Sequence, residues 1–235
     1  MPTTTTGTAQ IVKMLRGNTG ARNIRTVFTD FCEVSAIALR NTVDLVGWTA
    51  REQEYHRIAD SYTAAQLDRF ANAFGAIALE LDREPRDVLG EVYMQLEISS
   101  KHQGQFFTPY PLALLIAQMQ LGDVTQLLEE RPYLTVGEPA AGAGAMAIAV
   151  TQVLAEQGID YTQRLHITAD DISPVAVHMC FIQLSLLGAA AVVNRRNTLT
   201  QELFDSWSTP AHVVGGWAER LEEATATKPQ PLRGS

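Results

Sequence analysis

Between Tyr133 and Asn194 the chain alternates strand-like and helix-like segments. This alternation restricts the available folds more than any other feature. "YLTVGEP" (133–139) reads as a short strand entering a turn, and "GAGAMAIAVTQVLAEQG" (142–158) as a helix closed by Gly158. "RLHITADD" (164–171) is a second strand, "SPVAVHMCFIQLSLLG" (173–188) a helix closed by Gly188, and "AAAVVN" (189–194) a third strand. Strand, helix, strand, helix, strand is how a parallel, doubly wound sheet begins. The segment before it differs. From Ile11 to Phe107 apolar residues recur at helical spacing and no strand alternation appears. One predicted helix opens with Ser61 as N-cap and carries Leu67, Phe70, Phe74, Ile77 and Leu81 as its stripe. Another lies in "EPRDVLGEVYMQLEI", with Pro85 in its first turn.

The predicted architecture is therefore α/β. A mainly helical N-terminal subdomain (1–103) is followed by a partial Rossmann-like parallel sheet (104–223), and a Pro-rich polar tail (224–235) reads as disordered. Hydrophobic residues are 46% of the chain and charged residues 19%, enough for a sizeable core. A net charge of -8 argues against a free-standing nucleic-acid binder, although a local basic face can sit on an acidic protein. Lys13, Arg16, Arg22 and Arg25, and Arg195 with Arg196, are the local basic groups; solvated surface is the commoner explanation of so few charges, and phosphate binding the alternative. Cys32 and Cys180 lie in apolar surroundings without metal-ligand spacing, which fits a reduced cytoplasmic compartment with two buried thiols. The scattered histidines give no metal site, His178 reading as a satisfied core residue, and no secretory signal or membrane span is apparent.

The glycine-rich stretch "GEPAAGAGAMAIAV" (137–150) lies at the first strand–helix junction. Gly142 and Gly144 let backbone approach a ligand, and the helix that follows directs free N–H groups and its positive end at it. Asp170 and Asp171 end the next strand, where a carboxylate can accept both hydroxyls of a ribose. Gly142 to Ala147 also satisfy the dinucleotide pattern GxGxxG/A, which alone is weak and equally suits a packing turn. Glu138 in front of the glycines would repel a pyrophosphate but not an ammonium.

Four motifs in order, "GQFFTP" (104–109), "EPAAGAGAM" (138–146), "ADDISPVAVHMCFIQLSLLG" (169–188) and "NTL" (197–199), resemble those of adenine-N6 DNA methyltransferases, above all the modification subunit of type I restriction systems. The likeness spans roughly residues 86–200 and implies a class I fold that binds S-adenosylmethionine. It implies that Phe107, Thr108 and Pro109 line the methionine side, that Glu138 faces the ammonium, and that Pro139, Ala140, Gly142 and Gly144 form the loop. Asp171, aligned by its spacing to Pro174, would hold the ribose hydroxyls. Ile172 would pack on the adenine, and Asn197 would stand near it. The residues alone leave simpler readings open: Phe107 as a core aromatic, Asp171 as a helix cap, Asn197 as a turn residue.

The family also carries a (D/N)PP(Y/F) tetrad after its fourth strand, whose polar atoms and ring present the target base. This chain has no PP dipeptide. Where the tetrad should stand it reads "SWSTPAHVVGGWAERL" (206–221), which predicts a turn and a short helix capped by Ser208 or Thr209, with Pro210 in its first turn. The expectation is S-adenosylmethionine binding by a chain that either contributes to DNA adenine methylation in a larger or split assembly or acts as a catalytically inactive accessory; an NAD protein is the weaker alternative. The incomplete sheet predicts an exposed edge, hence a homo-oligomer or a second subunit to cover it.

Overall fold

A computed structural model gives the conformation of residues 7–96 and 107–226, with side chains described to Ala224. The ends of the chain, the Gly104–Phe106 part of the first motif and the predicted subdomain boundary lie outside the described residues.

Five helices come first: α1 (Gly7–Arg16), α2 (Ile24–Arg40), α3 (Trp48–Ala59), α4 (Ala64–Arg83) and α5 (Val88–Gln95). Local chemistry sets their starts. Asn23 caps α2 by accepting from the Thr26 amide at 2.8 Å. The start of α4 corrects the Ser61 expectation. Ser61 still belongs to the turn after α3, its hydroxyl donating to Ile58 O, and Thr63 takes the N-cap position, its amide donating to Gln66 Oε1 at 2.9 Å. Pro85 is not in the first turn of α5 either; Asp87 caps that helix, accepting from the Gly90 amide at 2.8 Å.

Helices α6 (Tyr110–Leu121) and α7 (Thr125–Glu130) lead into β1 (Leu134–Glu138). Then follow α8 (Ala145–Glu156), α9 (Tyr161–Arg164), β2 (Leu165–Asp171), α10 (Pro174–Leu186) and β3 (Ala190–Asn197), with Gly158 and Gly188 at positive φ closing α8 and α10 as expected. The predicted parallel sheet needs one correction: β3 is followed by a fourth strand, β4 (Glu202–Ser208), antiparallel to it. The order is β1-β2-β3-β4, with β1 to β3 parallel. β4 forms because its Trp207, 5% exposed, drops onto the rings of His178 and Phe181 of α10. The chain ends, as described, with α11 (Pro210–Val214) and α12 (Trp217–Ala226).

Right-handed crossovers put α8 and α10 on one face of the sheet. Side chains alternate along β2, so His166 faces away from α10 and meets His212 of α11 and Trp217 of α12 on the other face. The N-terminal helices are not a separate body: α2 and α5 pack on α10, and one continuous apolar core runs from Ile11 to Trp207. Both cysteines are buried in it. No described helix is long and apolar enough to cross a membrane, and no described cluster of three His, Cys, Asp or Glu could hold a metal.

Candidate functional site

The site forms where the C-terminal ends of β1 and β2 meet the start of α8. Asp170 and Asp171 point to opposite sides of β2, so the sheet sorts them. Asp170 accepts from Asn194 Nδ2 at 2.7 Å and lies 3.7 Å from Arg196 Nε. Asp171 turns to the glycine loop: its Oδ2 accepts from the Gly142 amide at 2.9 Å and its Oδ1 from the Ser173 amide at 2.8 Å. One carboxylate thus fastens the loop to the start of α10. Each oxygen keeps a second lone pair for another donor.

A cavity of about 200 Å³ opens beside this carboxylate. Phe107, Thr108, Ala140, Gly142 and Asp171 line it together with Met146. Six other expected residues border the region without lining the cavity. Pro109 is the N-cap residue of α6. Glu138 ends β1 and accepts from the Ala140 amide at 3.0 Å across Pro139. Gly144 caps α8, and Ile172 is half exposed beyond Asp171. Asn197 ends β3, its Oδ1 accepting from the amides of Leu199 and Thr200, as a turn residue does.

The glycines are required by protein neighbours as well as by any ligand. Gly142 has φ +56°, and a Cβ there would lie 2.8 Å from the Phe107 ring. Gly144 has φ +102°, and a Cβ there would lie 3.1 Å from Cys180 Sγ in α10. Gly144→Val is expected to cost at least about 2 kcal/mol, from the left-handed backbone and the collision together. The thermal midpoint should then fall by roughly 4–8 °C, which calorimetry reads directly; an unchanged midpoint would show that the loop relaxes freely.

Two residues absent from the sequence-derived set support the loop from behind. Gln183, fully buried in α10, donates through Nε2 to Ala143 O (2.8 Å) and to Asp87 Oδ1 (2.9 Å), and accepts the Leu89 amide on Oε1 (3.0 Å). Burial raises the Asp87 carboxyl to about 6, while the Gln183 and Gly90 bonds hold it down. A lone glutamine in the apolar run "CFIQLSLLG" was the available signal. His178 corrects a smaller expectation: it is buried, but its Nδ1 has no hydrogen-bond partner.

The segment in the tetrad's place lies far from this site. β4 runs antiparallel, so Ser208 pairs with Val192 at the start of β3, while the site lies at the strands' C-terminal ends. Thr209 is held there, its hydroxyl donating to Ala189 O and accepting from the Ala191 amide, and it caps α11 as expected. Five residues of strand, about 17 Å, separate "STPAH" from the Asn197 end. Two of the local basic groups are engaged within the chain: Arg22 stacks on Tyr62 and Arg195 on Phe204.

A sheet whose first three strands run parallel, with a glycine loop at its first strand–helix junction and an acid at the end of its second strand, is Rossmann-like. The chain belongs to the N-6 DNA methylase family, whose model matches residues 84–217. Among solved structures it is similar to one described as a class I S-adenosylmethionine-dependent methyltransferase from Listeria monocytogenes (11% identity, TM-score 0.46, 85% of this chain and 56% of that one). It is also similar to a type I restriction-modification methyltransferase subunit from Streptococcus thermophilus (14% identity, TM-score 0.44, 83% of this chain and 58% of that one). The chain thus spans little more than half the length of either. No curated protein matches it.

Proposed function

We propose that this chain binds S-adenosylmethionine in the cradle between the glycine loop and Asp171, as the cofactor-holding part of a split DNA adenine-N6 methyltransferase. The observation that carries the reading is the position of Asp171, hydrogen-bonded to Gly142 in a cavity shared with Phe107 and Thr108. Its free lone pairs suit the two ribose hydroxyls. Glu138, with one oxygen on the Ala140 amide, offers the other to the ammonium. Ile172 is exposed for the adenine, and the family likeness assigns Asn197, at the end of β3, a place near the ring. At about 200 Å³ the cavity is below the roughly 300–1,000 Å³ of small-molecule sites, so it takes the methionine and ribose and leaves the adenine on the surface. When bound, the cofactor supplies the electrophilic methyl group; this chain's residues bind and orient it.

The placement of "STPAH" at the opposite end of the sheet supports catalysis only in company. The base-presenting residues come from a second, cytoplasmic subunit, and DNA is the shared substrate. An inactive accessory differs only in lacking that partner.

Asp171→Ala removes the loop's anchor and both ribose bonds. Charge-assisted bonds contribute about 1.5–3 kcal/mol each, so S-adenosylmethionine should bind at least about 100-fold more weakly. Titration calorimetry with the cofactor, its homocysteine product and NAD checks this. Heat with NAD alone, or equal affinity in wild type and Asp171→Ala, rejects the reading.

A further inference from the structure

The connection between α2 and α3, residues 41–47, raises two large aliphatic side chains into solvent, Leu45 at 81% and Val46 at 85% exposure, with Trp48 half exposed beside them. The loop is not slack. Arg51 donates to Asn41 Oδ1 at 2.8 Å, to Val46 O at 2.7 Å and to Asp44 O. Asp44 accepts from the Val46 amide at 2.9 Å and from Arg40 Nε at 2.9 Å. Arg40 also lies over the Trp207 ring and 3.7 Å from Asp205, which ties the loop to β4. The loop's charges therefore pair within the fold, and its tip presents apolar groups. Exposed apolar groups held in one conformation mark a contact surface, because little ordering entropy is lost on binding.

Beside the loop lies an apolar groove of about 340 Å³. Val34, Ala38 and Leu39 of α2, Tyr55 of α3, and Phe70 and Phe74 of α4 line it. Close packing leaves few gaps larger than a water molecule, so a space of this size among three helices calls for an occupant. The groove runs along α2 from Val34 to Leu39, about 7.5 Å of rise, and ends next to the loop. Arg51 holds the carbonyls of Asp44 and Val46, which keeps Leu45 and Val46 out of their own chain's groove.

We infer that two copies of this chain pair through these helices, each seating Leu45 and Val46 in the α2–α3–α4 groove of the other. A two-fold contact is reciprocal, so it needs a projection and a matching recess on one chain. Here the two are neighbours along α2, and the axis passes between them. A foreign polypeptide would have to carry both counterparts. A small apolar molecule would fill the groove and leave the loop in water. A lipid surface suits the loop poorly: Asp44 pairs with both of its arginines, Arg40 and Arg51, and a net charge of -8 is repelled by anionic lipid. The contact lies on the N-terminal helices rather than at the sheet edge that the sequence suggested for an oligomer. It leaves the cofactor cradle open, since no residue lining that cavity belongs to α2, α3 or α4, and it does not depend on the cofactor reading.

Light scattering on the full chain is expected to give the mass of two chains, falling toward one on dilution. Val46→Asp spoils the projection, and Ala38→Glu puts a charge in the groove. Both residues are exposed in the single chain, so far-ultraviolet circular dichroism should not change. Each variant should weaken pairing at least about tenfold, as an unpaired charge inside an apolar contact does. An equimolar mixture of the two should pair more tightly than either alone, because the mixed dimer keeps one wild-type loop against one wild-type groove. Affinity for S-adenosylmethionine should stay at the wild-type value in both. A monomer at every concentration, a dimer that neither variant weakens, or a mixture no tighter than its components overturns the inference. So does saturable binding of anilinonaphthalene sulfonate to a monomer that Ala38→Glu abolishes, since the groove would then serve a small ligand. Sedimentation with phosphatidylcholine vesicles that Val46→Asp abolishes overturns it too, since the loop would then serve a lipid surface.

Discussion

Gln183→Leu is expected to lower stability by about 3–5 kcal/mol although leucine suits the apolar helix around it. The substitution removes three bonds at once, to Ala143 O, Asp87 Oδ1 and the Leu89 amide. Each partner is left in a place where water does not reach. An unsatisfied buried group costs about 1–3 kcal/mol, and the Asp87 carboxylate more. Asp87 relieves part of this by holding its proton, since burial already raises it to about 6 and the lost bond raises it further. The thermal midpoint should fall by roughly 6–20 °C. Cofactor affinity should fall with it, because the Ala143 carbonyl is the glycine loop's second anchor to α10, beside Asp171. A double-mutant cycle with Asp87→Ala separates pairing from packing: coupling above about 1 kcal/mol is expected for groups in direct contact. A loss below 1 kcal/mol in the single variant would show that the network does not hold the loop.

That network marks the limit of what the sequence displays. Strands β1 to β3 were legible as short apolar runs, and helices α8 and α10 as longer ones each closed by a glycine, and the fold follows from their alternation. The preference for Asp171 over Asp170 rested on spacing to Pro174, and the structure gives it a physical form: neighbouring residues of a strand face opposite ways, so only one can reach the loop. β4 was illegible. "ELFDSWS" is mostly exposed and gains its place from β3's edge and from the contact of Trp207 with α10, neither of them visible locally. Asp87 and Gln183 are 96 residues apart, and His166 and His212 are 46 apart. Pairings at such separations leave only a weak trace, a polar residue where its neighbours are apolar. Helix starts were misplaced by a few residues at Ser61 and Pro85 because several capping residues stand in a row and side-chain geometry chooses between them.

The buried histidines make the fold acid-labile, with the loss beginning below the pH where free histidine titrates. His178 is held neutral by burial, its value lowered to about 4 from 6.5, and Arg195 nearby works in the same direction. His166 is likewise lowered to about 4, by burial first and then by His212, and His212 is lowered by burial. Their mutual bond, 2.9 Å between His166 Nε2 and His212 Nδ1, requires one ring to donate and the other to accept, so it cannot survive double protonation. For a base whose folded value is depressed, the unfolded chain binds more protons between the two values. Stability is then full above about pH 6.5 and declines as pH falls toward 4. His178 alone contributes about 3 kcal/mol over that window, and the pair adds to it. Asp87 acts in the opposite sense, because the folded state takes up its proton near pH 6 while the unfolded chain waits until about 3.8. Glu33, also raised by burial, acts as Asp87 does, but two carboxyls do not offset three imidazoles, so the net slope favours unfolding. The guanidinium midpoint should therefore fall steadily between pH 7 and pH 4.5. His178→Phe should flatten that dependence while leaving stability at pH 7.5 equal or higher, since it also removes an Nδ1 without a partner and keeps a ring against Trp207. A midpoint constant across this range, or a His178→Phe profile as steep as the wild type's, would place the acid sensitivity elsewhere in the fold.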